Sequence, residues 1–240
     1  MADRYWILGT GTWDATNTAN WSDSSGGSGG FSVPTAADNV FFDANSNVGT
    51  TAFTVTMANT PRVCNDFTAS GLDGVMTLAG TSIGLTVSGS LTFQATNFTR
   101  TYTGTTTFNA TTTGKTVTTN GVAFGSTVTF DGVGGGWTLG SALTNSGAST
   151  IVTNGTFNTS LSGNYAVTTA ALTSNNSNTR TINLNASTLT LSSVSNPIVF
   201  TTKTGLTFNA GTSSINCSGT SVAFAGNDLT YYNVAFTSTA

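Results

Sequence analysis

From about residue 50 onward the chain is dominated by short apolar–polar alternations. They read Phe53-Thr54-Val55-Thr56-Met57, Leu85-Thr86-Val87-Ser88, Thr181-Ile182-Asn183-Leu184 and Leu189-Thr190-Leu191-Ser192. A period of two puts the apolar side chains on one face of a strand and Thr, Ser or Asn on the other. Turn signals punctuate the runs: Ser70-Gly71, Ser88-Gly89, Asn120-Gly121, Asn154-Gly155 and Ser218-Gly219. The pattern predicts many short strands joined by tight turns.

One phrase recurs among these strands. It reads Thr92-Phe93-Gln94-Ala95, Thr107-Phe108-Asn109-Ala110, Thr156-Phe157-Asn158-Thr159 and Thr207-Phe208-Asn209-Ala210, with a relative in Thr129-Phe130-Asp131-Gly132. A second phrase, Val-Ala-Phe, ends at Phe124 and Phe224, 16 residues after Phe108 and Phe208 respectively. Two matches in register argue for an internal repeat. The spacing of copies is irregular, roughly 15 to 27 residues per apparent coil. A parallel β-helix accepts such irregularity, because turns vary while strands stack. The fold expected is therefore all-β: a right-handed parallel β-solenoid of short irregular coils, about nine or ten of them at about 20 residues each. Phe stacks on Phe inside, with Thr, Asn and Ser outside. A pair of β-sandwiches is the alternative architecture.

Residues 1–48 differ from this body, which runs over 49–240. They hold Trp6, Trp13 and Trp21 and five of the nine Asp, around a Ser/Gly stretch from Ser22 to Gly30 that reads as flexible. This segment is expected to be an aromatic cap or attachment piece, because the first coil of a solenoid has an edge to cover. The other end, at Ala240, follows a strand-like run with no evident cap.

Composition sharpens the picture. Thr alone is about a fifth of the chain, and Thr, Ser, Asn and Gly together make up about half. Charged residues are 6% of the total, against about 25% in ordinary soluble domains. Disorder is excluded by the aromatics, since 15 Phe, 5 Tyr and 4 Trp supply a core that disordered chains lack. Glu is absent and Ala is scattered, so almost no helix is expected. Six basic residues spread from Arg4 to Lys203, with a net charge of −3, make no patch for phosphates, so nucleic acid is not an expected partner. No apolar run reaches membrane-spanning length. The apolar stretch near Ile7-Leu8 is too short for a signal peptide. Cys64 and Cys217 read as buried free thiols.

The opening, Gly9-Thr10-Gly11-Thr12-Trp13-Asp14-Ala15-Thr16-Asn17-Thr18-Ala19-Asn20-Trp21-Ser22, followed by Val33-Pro34 and Ala37-Asp38-Asn39-Val40-Phe41-Phe42-Asp43, resembles the start of repetitive β-helical surface proteins. These include phage tail-fibre and decoration proteins and autotransporter passenger domains. Thr113-Gly114-Lys115-Thr116-Val117 and Leu229-Thr230-Tyr231-Tyr232-Asn233-Val234 are similar to their later coils. The resemblance implies a surface β-helix. Without an export signal it implies a virion or extracellular-surface location and, as partners, other virion proteins, further copies of the chain, or a host glycan.

The chemistry expected is sparse. With no His, Ser-His-Asp catalysis and the usual zinc sites are excluded. Gly132-Val133-Gly134-Gly135-Gly136-Trp137 reads as a turn with a packing Trp. From residue 74 onward the only acids are Asp131 and Asp228, too far apart in sequence for the two carboxylates of a glycosidase. Asp66 and Asp73 read as turn residues. Neither an enzyme nor a cofactor is expected. Asp38, Asp43, Asn45 and Asn47 faintly resemble half of a calcium loop, but lack its Gly and closing Glu. Trp13, Trp21, Tyr231 and Tyr232 are candidate contacts for a partner or a sugar ring, with end-plugging as the alternative for the Trp pair. Long Thr runs such as Thr105-Thr106-Thr107 raise an ice-binding reading, which their irregular spacing argues against. The function expected is that of a non-enzymatic structural piece of a virus particle. A glycan-binding adhesin and a β-helical depolymerase are the alternatives.

Overall fold

A computed structural model describes residues 1–47, 49, 51–160, 162–220 and 222–237. The expected end at Ala240 and the expected boundary residue at 48 lie outside the described residues. The protein is nearly all β, with mostly parallel strands stacked as a β-solenoid of about eight turns. Helix is confined to two 3-10 turns, Thr18–Asn20 and Ala44–Ser46. The chain divides into two compact units, residues 1–107 with 118–122, and residues 108–117 with 123–240.

In the first unit two columns of parallel strands carry the coils. One stacks Asp3–Trp6, Asn39–Phe42, Phe67–Ala69 and Leu91–Thr92. The other stacks Gly11–Trp13, Phe53–Met57, Met76–Ala79 and Phe98–Arg100. A shorter column pairs Arg62–Cys64 with Leu85–Val87. Once the coils are regular, stacked partners lie 22 to 27 positions apart, as between Met76 and Phe98 and between Val40 and Phe67. That is longer than the expected 20, which is why fewer coils form. The alternation holds on each strand: Phe53, Val55 and Met57 point inward, and Thr54 and Thr56 do not. Rings run through the interior, from Trp6 to Phe42, Phe67, Phe93 and Phe98, at centroid separations of 6.1, 5.5, 5.7 and 4.7 Å.

The beginning of the chain enters these columns directly. Asp3–Trp6 and Gly11–Trp13 are already parallel members, while Trp21–Ser22 turns back and pairs antiparallel with Asp3–Trp6, Trp6 opposite Trp21. Trp6, Trp13 and Trp21 are fully buried and meet edge to face at 5.2 and 5.3 Å. The Ser/Gly stretch is not a loose linker, which corrects the reading from composition. Gly30 N–H donates to Thr18 O and Phe31 N–H to Trp21 O, and a Cβ on Gly29 would run into Ala19 O. Glycine is used there for close approach, not for mobility.

In the second unit the inner and outer ladders are explicit. One sheet stacks Leu143, Val167, Leu189, Ile215 and Val234 inward, with Thr144, Thr168, Thr190 and Asn216 beside them on the outer face. Another stacks Trp137, Phe157, Ile182 and Phe208. The repeated phrase is now explained: its Phe faces in, while its Thr and Asn form outer columns Thr156–Thr181–Thr207 and Asn158–Asn183–Asn209. Asn209 Nδ2 donates to Asn183 Oδ1 at 2.7 Å. Phe108, Phe130 and Phe157 stack at 5.0 and 4.8 Å. Cys64 and Cys217 are buried free thiols, as expected.

The run Gly132–Gly136 is not a turn between strands. It lies inside the 12-residue strand Val128–Leu139, where the register against Thr150–Asn158 shifts between Asp131 and Gly136. The run is a bulge that pushes Val133 out to 75% exposure while Trp137 stays buried. Glycine is required because a Cβ on Gly132 or Gly135 would strike Ala110 O. Across the ladder, Gly155 sits at φ +77°, and a Cβ there would come within 2.6 Å of both Gly132 O and Gly135 O. Gly155→Ala is therefore expected to cost about 2 to 3 kcal/mol through combined strain and overpacking. A urea melt with an unchanged midpoint would show that the bulge is not packed this way.

Candidate functional site

The acidic residues near the start are occupied by their own loops. Asp38 accepts bonds from Ala2 N–H at 3.1 Å, Thr35 N–H at 3.0 Å and Thr35 Oγ1 at 2.7 Å. Burial alone would raise its pKa, but these bonds outweigh it and hold the carboxyl below the usual carboxylate value. Asp43 caps the turn Ala44–Ser46: its side chain accepts from Asn45 N–H, and Ser46 Oγ accepts from Asp43 N–H. Asn45 donates to Ser25 Oγ, and Asn47 to Thr51 O. The structure thus places Asp38, Asp43 and Asn47 in backbone-bonding roles, and Asn45 in a bond to the Ser25 side chain. Among the described residues no three His, Cys, Asp or Glu gather as metal ligands.

Three further acids are also engaged in structure. Asp66 Oδ1 accepts from Ser90 N–H at 2.7 Å, Asp131 Oδ1 from Asn154 Nδ2 at 2.7 Å, and Asp228 pairs with Lys203 at 2.9 Å.

The four candidate aromatics separate into two pairs. Trp13 and Trp21 are 1% and 0% exposed. They present no ring face to a sugar, which corrects their reading as partner or glycan contacts. They fill the interior of the first coil, as the plugging alternative had it. Tyr231 and Tyr232 behave differently. Tyr232 is 67% exposed. Tyr231 is half-buried between Phe208 and Phe224, each at 5.3 Å. Its hydroxyl is buried with no hydrogen-bond partner among the described residues, and burial pushes its pKa up to about 12.

Tyr231 belongs to a larger feature. On the rungs before it, Ile182, Leu189, Leu191, Ile215 and Cys217 are at most 1% exposed. The equivalents one rung on are open. Phe208, stacked on Ile182, and Val234, stacked on Ile215, are half-buried, and Phe236, stacked on Cys217, is 60% exposed. Leu206–Asn209 pairs only with Arg180–Asn183, and Asn233–Phe236 only with Ser214–Cys217, among the described residues. Each therefore presents an edge of backbone N–H and C=O groups beside an apolar face. The one ion pair found among the described residues, Lys203 with Asp228, lies in the same stretch. An uncharged β-edge with apolar flanks is the chemistry of strand addition and of subunit contact.

Reading residues in isolation also missed Arg180. Its side chain is fully buried inside the second unit. Nε donates to Ser174 Oγ, Nη1 to Asn178 O and Thr204 O, and Nη2 to Ser174 O and Thr202 O, over 2.6 to 2.9 Å. Desolvation lowers its pKa. No carboxylate balances it; five acceptors from two connecting segments do. A lone Arg opening a strand of otherwise uncharged residues was the signal for it.

No family model, curated protein or solved structure matches this chain.

Proposed function

We propose that the chain is a non-enzymatic structural protein of a virus particle, a rigid β-solenoid piece of its surface. The observation that carries this reading is the regular, uncharged exterior of the stacked coils, with its outer columns Thr144–Thr168–Thr190 and Thr156–Thr181–Thr207. Among the described residues, Phe208, Phe224, Tyr231, Val234 and Phe236 also form an apolar surface beside the edges of Leu206–Asn209 and Asn233–Phe236. Exposed edges of this kind are normally blocked by Lys, Pro or a covering segment, and neither Leu206–Asn209 nor Asn233–Phe236 carries such a residue. An edge of this kind suits contact with a further strand, from the same chain or from a neighbour in an assembly. The Thr-rich, nearly uncharged exterior and the resemblance to β-helical surface proteins point in the same direction.

The test is immunogold electron microscopy of the native particle fraction. Label at regular positions on virions is expected. Label on cell envelopes or free filaments, with virions bare, would overturn the reading in favour of a cellular surface protein. Phe236→Lys places a charge on the edge, beside Phe224 and on the Cys217 rung. It is expected to lower the melting temperature slightly while leaving the chain folded, and to abolish incorporation into particles.

A further inference from the structure

A second surface feature lies on the opposite kind of terrain, polar and recessed. A cleft of about 340 Å³ opens on the second unit, lined by Val133 and Gly134 of the bulge, Asn154 and Thr156 of the next strand, and Thr179 and Thr181 of the one after. Those strands, Val128–Leu139, Thr150–Asn158 and Arg180–Asn183, are consecutive neighbours in one sheet. The cleft therefore runs across the strands, along the direction in which the coils stack.

Its chemistry is neutral. Arg180 contributes to the lining, but its guanidinium is spent on five internal bonds. Asp131 is engaged by Asn154. The hydroxyls of Thr156, Thr179 and Thr181 make no hydrogen bond to another described residue. Asn154 donates to Asp131, and Asn178 donates to Thr153 O, which fixes both amides and leaves their oxygens as acceptors. The exposed Val133 adds an apolar wall. Fixed amides, free hydroxyls and one apolar surface suit a ligand with alternating hydroxyl and C–H faces. They leave no free charged donor for a phosphate, sulfate or carboxylate, since the five N–H groups of Arg180 are already bonded.

Spacing narrows the ligand further. Neighbouring strands stand about 4.8 Å apart, so the Thr156–Thr181 column presents one hydroxyl per rung at nearly the length of one pyranose unit in an extended chain. We propose that this cleft binds an extended neutral polysaccharide, lying across the strands with successive sugars following that column. Such a site is independent of the open coil and of the structural role proposed above.

The experiment is affinity electrophoresis of the native chain through gels holding neutral polysaccharides (dextran, galactomannan, mixed-linkage β-glucan), with dextran sulfate and polygalacturonate as charged comparators. Retardation by at least one neutral polymer is expected. The double variant Thr156→Val, Thr181→Val keeps the branched shape and removes two hydroxyls, and should weaken binding by about tenfold or more. Thr144→Val with Thr168→Val, on a different sheet, should bind as the unmodified chain does. Thermal melts establish that both variants are folded. Three outcomes would each overturn the proposal: no retardation by any neutral polymer, retardation only by the charged ones, or equal retardation of the two double variants.

Discussion

Arg180→Ala is expected to destabilise the protein by about 2 to 3 kcal/mol, through acceptors left without their charged donor. The reason is the number of groups left behind. The guanidinium satisfies Ser174 Oγ and the carbonyls of Ser174, Asn178, Thr202 and Thr204. Truncation strands the two buried Ser174 acceptors and leaves the part-buried carbonyls of Asn178, Thr202 and Thr204 without their donors, and each buried orphan costs about 1 kcal/mol or more. The acceptors come from two connecting segments one coil apart, so the side chain also holds those segments in register. Arg180→Lys should recover part of the loss, because an ammonium has three donors where the guanidinium has five. Urea melts of both variants check this ordering. Equal stability of Ala, Lys and the unmodified chain would mean that the clamp does not form.

The second large effect is Phe108→Ala, expected to cost about 3 to 5 kcal/mol. Phe108 is fully buried and touches Phe124, Phe130 and Trp137, with ring centroids 6.5, 5.0 and 6.3 Å away. Removing it opens a cavity among rigid rings that cannot collapse easily. Phe208, in the matching phrase, is only half-buried. Its removal should cost about 1 to 2 kcal/mol, in proportion to the apolar area withdrawn from water. The contrast between the pair is the measurement. Equal losses at the two positions would show that the last coil is covered in the isolated chain.

That contrast also marks where sequence reading stops. The phrases ending in Phe108 and Phe208 look alike because both fill an inward rung, and period-two alternation identified that face correctly for Phe93, Phe130 and Phe157 as well. Nothing in the local letters distinguishes a rung with neighbours on both sides from one with a neighbour on one side. Burial of Phe208 is a property of the stack. The same limit applies to Trp13 and Trp21, whose isolated positions suggested exposed rings although the return of Trp21–Ser22 along Asp3–Trp6 encloses them.

Glycine misled for a related reason. Ser22–Gly30 read as loose and Gly132–Gly136 as a turn, because glycine signals both freedom and close approach. The deciding facts are Ala19 O beside Gly29 and Ala110 O beside Gly132 and Gly135, contacts between residues up to 25 positions apart. The cleft was equally hidden. Its hydroxyls belong to ordinary outward Thr positions on separate rungs, and only the bulge at Val133–Gly134 turns a flat face into a recess.

The uneven separation of stacked partners carries a consequence for how such a chain diversifies. Ser214 and Asn233 are matched across 19 positions, Val40 and Phe67 across 27, yet both pairs sit in register. Register is set by the ladders, and the connecting segments are free to differ. A connecting segment between two ladder strands, such as residues 174–179, is therefore an independent module. It can lengthen, shorten or change its side chains while the interior stays the same, so surface specificity can drift on a fixed frame.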